Sequence, residues 1–205
     1  MAHQSHPRFR TFHALRIKGF AQPAVLAEIA GLGEDEVTTH LQALLGLGYV
    51  QFREARGLWQ LTPDGRVAHA KGLAEDIGGL DLHEMRPDYH EFVRINERFK
   101  VLCGDWQLRN GEINDHTDAA HDQDVLAGLV RLDEETHPRI AAMSTALTRL
   151  APYSPRLTAA LGRLQAGDIK QFTGVMCNSY HDVWMELHED LILSQGIDRA
   201  AEGSF

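Results

Sequence analysis

The sequence predicts a mainly α-helical fold that begins with three short helices and a small β-hairpin and continues as an α-helical bundle. Apolar residues recur with helical spacing over most of the 205-residue chain. Two short stretches in the first third alternate between apolar and polar residues instead, as the strands of a hairpin do. Gly78-Gly79 separates the two patterns, so we expect one domain over residues 1–78 and a second over residues 80–205.

The first three elements are predicted helices whose ends are marked by glycine or proline. Residues 7–18 form the first helix, which Gly19 ends. Pro23 suits the first position of a second helix, because that position needs no backbone N–H donor. Gly31-Leu32-Gly33 is a tight turn before the third helix, residues 34–45. The apolar face of this third helix consists of residues at helical spacing: Val37, Leu41 and Leu44.

A hairpin and a fourth helix complete the predicted first domain. Residues 49–53 and 58–61 alternate on either side of a polar turn that ends in Gly57, which is typical of two paired strands. Thr62 is a good N-cap and Pro63 a good first helical residue. We therefore expect a fourth helix that runs to about residue 77.

The second half is helical by pattern. Its predicted helices are residues 87–103, residues 122–150 with a kink near Pro138, residues 156–165 and residues 168–195. A polar loop is predicted at residues 104–120 and a linker at residues 151–155.

Charge is divided unevenly between the two halves of a chain whose formal net charge is -9. Residues 1–80 contain eight Lys or Arg and eight Asp or Glu, whereas residues 81–205 contain twelve and twenty-one. Phosphate attracts basic surfaces, so any contact with nucleic acid is expected in the first eighty residues.

The helix–turn–helix–hairpin–helix order is that of a winged helix-turn-helix domain. The stretch from Val37 to Val50, Val-Thr-Thr-His-Leu-Gln-Ala-Leu-Leu-Gly-Leu-Gly-Tyr-Val, resembles the reading helix and first wing strand of ArsR- and MarR-type bacterial regulators. Leu61-Thr62-Pro63-Asp64-Gly65-Arg66 resembles the segment after the wing in MarR- and PadR-like proteins. The resemblance covers about residues 8–77 and implies a domain that binds double-stranded DNA, commonly as a homodimer.

Candidate DNA-binding residues follow from this plan. Thr38, Thr39 and Gln42 face away from the buried side of the third helix, and such side chains can read base edges in the major groove. His40 is a candidate phosphate contact. Positive charge around the first helix and the wing completes the set: Arg16, Lys18, Arg53 and Arg56.

One departure from the plan leaves an alternative open. The third helix has no Lys or Arg and begins Glu34-Asp35-Glu36, and carboxylates near phosphates are unfavourable. A winged helix that serves protein contacts or dimerisation is the alternative reading.

Histidines, aromatic residues and acids in the second half suggest a sensor. Asp115, His116, His121 and their neighbours form one cluster, and His181 with His188 belongs to another. A small-molecule or metal effector is possible, although the spacings match no specific zinc motif and no metal ligand set is assigned. The candidate pocket residues are Trp106, His116, His121, Tyr180, His181, Trp184 and His188. Packing in a core is the other explanation for the same aromatics.

Residues 88–197 also resemble a helical module of actinobacterial proteins described as phosphoenolpyruvate-utilising enzymes. The resemblance rests on Phe99–Gln107, Asn114–His116 and Ser179–Glu189. It implies a recurring accessory module, and it implies no activity here because the chain has no phosphotransfer domain and no phosphate-binding glycine loop. The turn Ala166-Gly167-Asp168 is similar to one in effector domains of GntR-type regulators.

These observations predict a DNA-binding transcriptional regulator with a helical ligand-sensing or dimerisation domain. The alternative is an accessory protein that regulates a phosphoenolpyruvate-utilising enzyme through protein contacts. No nucleophile elbow, phosphate-binding loop or dinucleotide fingerprint is present, so we expect neither an enzyme nor a cofactor. The long helices 122–150 and 168–195 are the expected homodimer surface. Cys103 and Cys177 are expected to be buried free thiols, and no membrane contact and a cytoplasmic location are expected.

Overall fold

The computed structural model describes residues 2–197, and these form a mainly helical fold with a small antiparallel sheet. The fold class predicted from periodicity is confirmed to that extent. The contacts between residues divide the chain into two compact units. The first contains residues 2–82, 147–152 and 188–197, and the second contains residues 83–146 and 153–187.

The helices of the first unit begin and end close to where the sequence predicts. Their bounds are α1 Pro7–Lys18, α2 Pro23–Ala30, α3 Glu34–Gly46 and α4 Pro63–Ile77. Thr62 caps α4 as expected, because its Oγ1 accepts a hydrogen bond from the backbone N–H of Gly65 at 3.0 Å.

The predicted hairpin is present and carries a third strand that the pattern did not indicate. The strands are β1 Phe20–Ala21, β2 Val50–Arg53 and β3 Leu58–Leu61, with β3 in the middle of the sheet. Both neighbours run antiparallel to β3, which pairs Ala21 and Phe52 with Trp59 on its two edges. A two-residue strand is too short to show an alternation, so only the fold reveals β1.

Where the chain approaches itself most closely in the first unit, glycine is required. A Cβ on Gly65 would lie 1.8 Å from the carbonyl oxygen of Tyr49. That same oxygen accepts a hydrogen bond from the N–H of Thr62 at 3.0 Å, and the hydroxyl of Thr62 donates to the carbonyl of Gly48 at 2.7 Å. The Thr-Pro-Asp-Gly sequence therefore fixes the start of α4 against the start of β2.

The second half follows the prediction less closely. Its elements are α5 Arg86–Gln107, β4 Leu108–Arg109, β5 Glu112–Ile113, α6 Ala119–Ser144, α7 Tyr153–Gln165, α8 Lys170–Thr173 and α9 Tyr180–Gln195. The linker predicted at residues 151–155 is wrong, because α7 already begins at Tyr153. The long helix predicted to reach residue 150 ends at Ser144 after passing through Pro138.

Two local signals explain the remaining differences. Asn110 and Gly111 both have positive φ, 53° and 85°, and form the two-residue turn of the β4–β5 hairpin inside the predicted loop. The helix predicted over residues 168–195 is interrupted between α8 and α9, where Met176 and Asn178 have positive φ. Ser179 caps the new helix by accepting from the N–H of Asp182 at 3.1 Å. Asn-Gly and Ser-x-x-Asp are readable in the sequence and mark both positions.

The division into units differs from the predicted boundaries at three places. The first unit also contains residues 80–82, 147–152 and 188–197 of the predicted domain 80–205, whose residues 198–205 lie outside the described residues. Arg149 gives the physical reason: its buried guanidinium forms ion pairs with Asp76 of α4 at 3.2 Å and with Asp190 of α9 at 3.3 Å. Charged contacts of this kind leave no periodic trace in a sequence.

Candidate functional site

The outward face of α3 carries one continuous stripe of side chains. Glu34, Thr38, Gln42 and Leu45 follow each other at spacings of three and four residues, which places them on one side of a helix. All four are exposed, whereas the opposite face buries the three predicted apolar residues: Val37, Leu41 and Leu44. The buried and outward faces predicted for α3 are therefore the observed ones.

Two other candidate residues of α3 are engaged within the unit. The hydroxyl of Thr39 donates to the carbonyl of Asp35 at 2.9 Å, one turn earlier in the same helix. His40 is half-buried and its Nδ1 lies 2.9 Å from Oγ1 of Thr11, so it joins α3 to α1. Desolvation lowers the pKa of His40, and the charges of Glu36, His6 and Arg8 act on it less strongly. The contact with Thr11 tethers the His40 ring to α1.

The hairpin carries the two predicted wing arginines at its turn. Arg53 ends β2, Arg56 lies in the following turn, and both are exposed. With the Gln60 amide turned so that its oxygen faces Arg53, that oxygen accepts from Nε at 3.0 Å and from Nη2 at 2.9 Å. The Gln60 amide thus holds the Arg53 side chain against the sheet. Arg56 lies in a turn that ends at Gly57, which has a φ of 63°.

The cations predicted beside α1 are less available. Arg16 pairs with Glu189 of α9 at 3.0 Å, and both side chains are largely covered. Lys18 is half-buried at the end of α1. Of the positive charges assigned to a DNA-facing surface, the two wing arginines are therefore the exposed ones.

A groove runs between the stripe on α3 and the hairpin, and we name it the α3–hairpin groove. Its volume is about 570 Å³. The walls include Pro23 of α2, Glu34 and Leu45 of α3, and Phe52, Glu54 and Trp59 of the hairpin. Gln42 also lines it, so the groove shares a residue with the candidate DNA-reading face. Sequence reasoning had not identified this groove, because its two walls come from distant segments.

The predicted effector pocket of the second unit is occupied by its own side chains. Tyr180 and Trp184 are fully buried. The indole Nε1 of Trp184 donates to Oδ1 of Asn96 at 2.8 Å, and the Tyr180 hydroxyl donates to Oδ1 of Asp133 at 3.0 Å. The pKa of Tyr180 is raised well above its usual value, by burial first and then by Asp133. These contacts are those of a packed core rather than of an open site.

Phe99 connects this core to the other candidate residues. Its ring centroid lies 4.6 Å from that of Trp184 and 6.1 Å from that of His181. Burial lowers the pKa of His181, partly offset by Asp182. The sixteen-residue α9 thus contributes three neighbouring aromatic or imidazole rings to one apolar cluster.

His116 of the loop and His121 of α6 form a separate polar arrangement near Trp106. His116 has a positive φ of 57°, and its ring lies 4.6 Å from that of Trp106 at a tilt of 45°. Its Nδ1 lies 2.9 Å from Oδ2 of Asp122. The amide of Asn114 donates to the other oxygen of Asp122 at 3.0 Å and to the carbonyl of Trp106, also at 3.0 Å. Nε2 of His121 lies 2.8 Å from the carbonyl oxygen of Asp105. His116 thus contacts the start of α6, and His121 contacts the end of α5.

The two histidine clusters do not combine into a metal site. His188 belongs to the first unit, where it is buried, whereas the six other candidate pocket residues belong to the second. Within residues 2–197, no group of three or more His, Cys, Asp or Glu side chains is close enough to hold a metal ion.

The cysteines differ from the prediction that both are buried. Both thiols are free, and Cys103 is largely covered, with burial raising its pKa to about 12. Cys177 is exposed, and so is Met176, of which 70% is accessible. They lie in the interruption between α8 and α9, where no helix face exists to bury them.

A buried polar network in the first unit is the feature that sequence reasoning missed. Nε2 of His13 lies 2.9 Å from Oδ1 of Asp190, and Nδ1 of His13 lies 2.9 Å from Nε2 of His69. Arg149 and Ser194 also bond to this carboxylate, at 3.3 and 2.9 Å. The pKa of Asp190 is held well below its usual range by His13, Arg149 and its hydrogen bonds, against the opposing effect of burial. Isolated histidines in a sequence give no sign of such an arrangement.

Comparison of the chain with protein-family models, with curated proteins and with solved structures finds no match. None of the helices in residues 2–197 combines the length and apolar character that crossing a membrane would require.

Proposed function

We propose that the first unit binds double-stranded DNA through α3 and the hairpin, and that the chain is a transcriptional regulator of the winged helix type. The supporting observation is the stripe of α3, where Thr38 and Gln42 are exposed beside a hairpin that carries Arg53 and Arg56. Hydroxyl and amide groups on an exposed helix can bond to base edges, while arginines on a wing can contact phosphate or enter the minor groove.

The arrangement of elements supports the same proposal. A winged helix contains two packed helices before its reading helix and a hairpin after it, and the first unit has α1, α2, α3 and then β2–β3 in that order. A helix docked in the major groove is held by its neighbours. The Thr11–His40 contact and the core residues of α1, α2 and α3 provide that support here.

Selection of duplexes from a genomic library at low salt tests the proposal. We expect an enriched sequence whose binding weakens as salt rises, because phosphate contacts release counterions. The double variant Arg53→Ala, Arg56→Ala should weaken binding to every duplex and reduce the salt slope by about 2, whereas Gln42→Ala should alter base preference. Arg94→Ala with Lys100→Ala, which removes two cations from α5, is the matched control and should change neither property.

An accessory role through protein contacts is the second candidate function. The three carboxylates at the exposed first turn of α3, Glu34, Asp35 and Glu36, favour it because they would oppose phosphate. If the selection recovers no duplex at low salt, the DNA proposal fails and the accessory role through protein contacts is favoured. If Glu34→Gln, Asp35→Asn and Glu36→Gln together raise the affinity for a recovered duplex, these carboxylates lie near phosphate and the DNA proposal is strengthened.

A further inference from the structure

The α3–hairpin groove has an apolar floor that is open to solvent. Leu45 is 41% exposed and Phe52 is 43% exposed, and the ring of Phe52 packs 5.2 Å from that of the buried Trp59. Pro23 extends the same surface. Neighbouring large apolar side chains that remain accessible mark surfaces for interaction, in contrast to scattered single ones.

Carboxylates are the charged groups of the groove. Glu34 of α3 and Glu54 of the hairpin turn both line it, while the described residues of its wall include no Lys or Arg. Asp35 and Glu36 add exposed negative charge next to Glu34. The surface therefore combines an apolar floor with an acidic rim, which complements an apolar side chain that has positive charge near it.

We propose that the α3–hairpin groove docks a segment of a protein partner in which a bulky apolar side chain is flanked by Lys or Arg. The apolar side chain covers Leu45 and Phe52, and the flanking cations approach Glu34 and Glu54. A nucleic acid fits this groove poorly, because its phosphates carry the same sign of charge as both carboxylates. The inference goes beyond DNA binding and does not depend on it. Because Gln42 belongs to both surfaces, a docked segment and a duplex on α3 exclude each other.

Selection from a random dodecapeptide display library against the full chain tests this docking. We expect enriched peptides with Leu, Ile, Phe or Trp close to Lys or Arg, and binding of the synthetic consensus peptide that weakens as salt rises. Measured by fluorescence anisotropy, the affinity for that peptide should fall about tenfold in Glu34→Gln with Glu54→Gln, and Leu45→Asp should abolish binding. Asp64→Asn with Glu75→Gln, two exposed carboxylates of α4, is the matched control and should bind the peptide like the parent chain.

Circular dichroism and thermal melting of each variant separate lost docking from lost folding, and the exposed Glu-to-Gln changes keep the test valid if Leu45→Asp is unstable. Absence of enrichment, a consensus without basic residues, or unchanged binding by the Glu34→Gln, Glu54→Gln variant overturns the proposal. A dimer in light scattering that Leu45→Asp converts to a monomer also overturns it, since the groove would then hold a second copy.

These variants test the two proposals independently of each other. Glu34→Gln with Glu54→Gln weakens binding of the peptide. The affinity for the duplex stays equal or rises, because negative charge is removed near phosphate. Arg53→Ala with Arg56→Ala weakens binding of the duplex and leaves binding of the peptide unchanged. Failure of the first pattern alone contradicts docking, and failure of the second alone contradicts DNA binding.

Discussion

His13 and Asp190 are 177 positions apart in the sequence, yet Nε2 of the imidazole lies 2.9 Å from the carboxylate, and both side chains are at most 4% exposed. An ionised carboxylate can only accept, so His13 donates this hydrogen bond. The contact joins α1 to the second half of α9. With Arg149 bonded to the same carboxylate, three distant segments of the first unit converge on one buried charge.

Replacement of Asp190 by Asn should destabilise the first unit strongly. The variant keeps the side-chain shape but leaves Arg149 and His13 without the carboxylate that both face, and breaking a buried ion pair costs about 3–5 kcal/mol. The free energy of unfolding from urea titration measures the loss. Glu135→Gln is the control, because its pair with Arg98 is about half exposed on each side and should contribute less than about 1 kcal/mol. Equal losses in the two variants would contradict the role given to the network.

Acid should destabilise the protein partly through His69. Burial first, and then the charges of His13, Arg16 and Arg149, lower the pKa of His69 to about 3, with Asp190 opposing them. The unfolded chain binds this proton near pH 6.5, so stability present above that pH is lost as pH falls toward 3. Between pH 6 and pH 4 the parent should lose up to about 1.4 kcal/mol per pH unit more than His69→Gln does. Parallel curves for both chains would show that His69 does not contribute.

Substitution of Gly65 by Ala should be among the most damaging single changes in the first unit. The added Cβ would meet the carbonyl of Tyr49 at 1.8 Å, and both groups are backbone-anchored, so we expect a cost of about 3 kcal/mol. Gly46→Ala at the end of α3 is the control, since nothing lies within 4 Å of its new Cβ. That change should be neutral or stabilise by about 0.5 kcal/mol. Chemical denaturation of both variants is the measurement, and a mild effect at Gly65 would contradict the close approach.

Trp184 distinguishes a packed core from an effector pocket in the second unit. Because its side chain is fully buried against Phe99 and bonded to Asn96, Trp184→Ala should cost about 3–5 kcal/mol of stability. In a thermal-shift screen of metals and small metabolites, we expect no compound to raise the melting temperature of the parent chain by binding at Trp184. A rise that disappears in a folded Trp184→Phe variant would restore the pocket.

The apolar faces of α6 and α9, which the sequence suggested as a homodimer surface, are covered within the single chain. Apolar residues of α6 and α9, such as Leu129, Ile140, Leu187 and Leu191, are at most 1% exposed within the single chain. If the DNA proposal holds, two reading helices about 34 Å apart still favour a homodimer. Light scattering should then give twice the 22.9 kDa chain mass at micromolar concentration. A monomer at that concentration would remove the two-fold geometry and leave a single reading helix.

Local signals in the sequence were sufficient for most of the first unit. Pro7, Pro23 and Thr62-Pro63 start helices, Gly19 ends one, and the alternation around Gly57 gives the hairpin. Each depends on backbone preferences within a few residues, which a sequence displays directly. The outward stripe of α3 followed from the same periodicity. Asn110-Gly111 and Ser179-x-x-Asp182 carried signals of the same kind, so the second hairpin and the break before α9 were predictable in principle.

Tertiary structure alone decided which distant groups share a site. The α3–hairpin groove joins Glu34 to Glu54 and Phe52, and the buried network joins His13 to His69 and Asp190. It also decided that Tyr180 and Trp184 are core and that Arg16 faces Glu189. Burial and charge pairing depend on chain segments that meet only after folding, and side-chain type alone does not state which partner a buried His, Asp or Arg will find. The sequence determined the helices and their faces, whereas long-range packing determined what those faces meet.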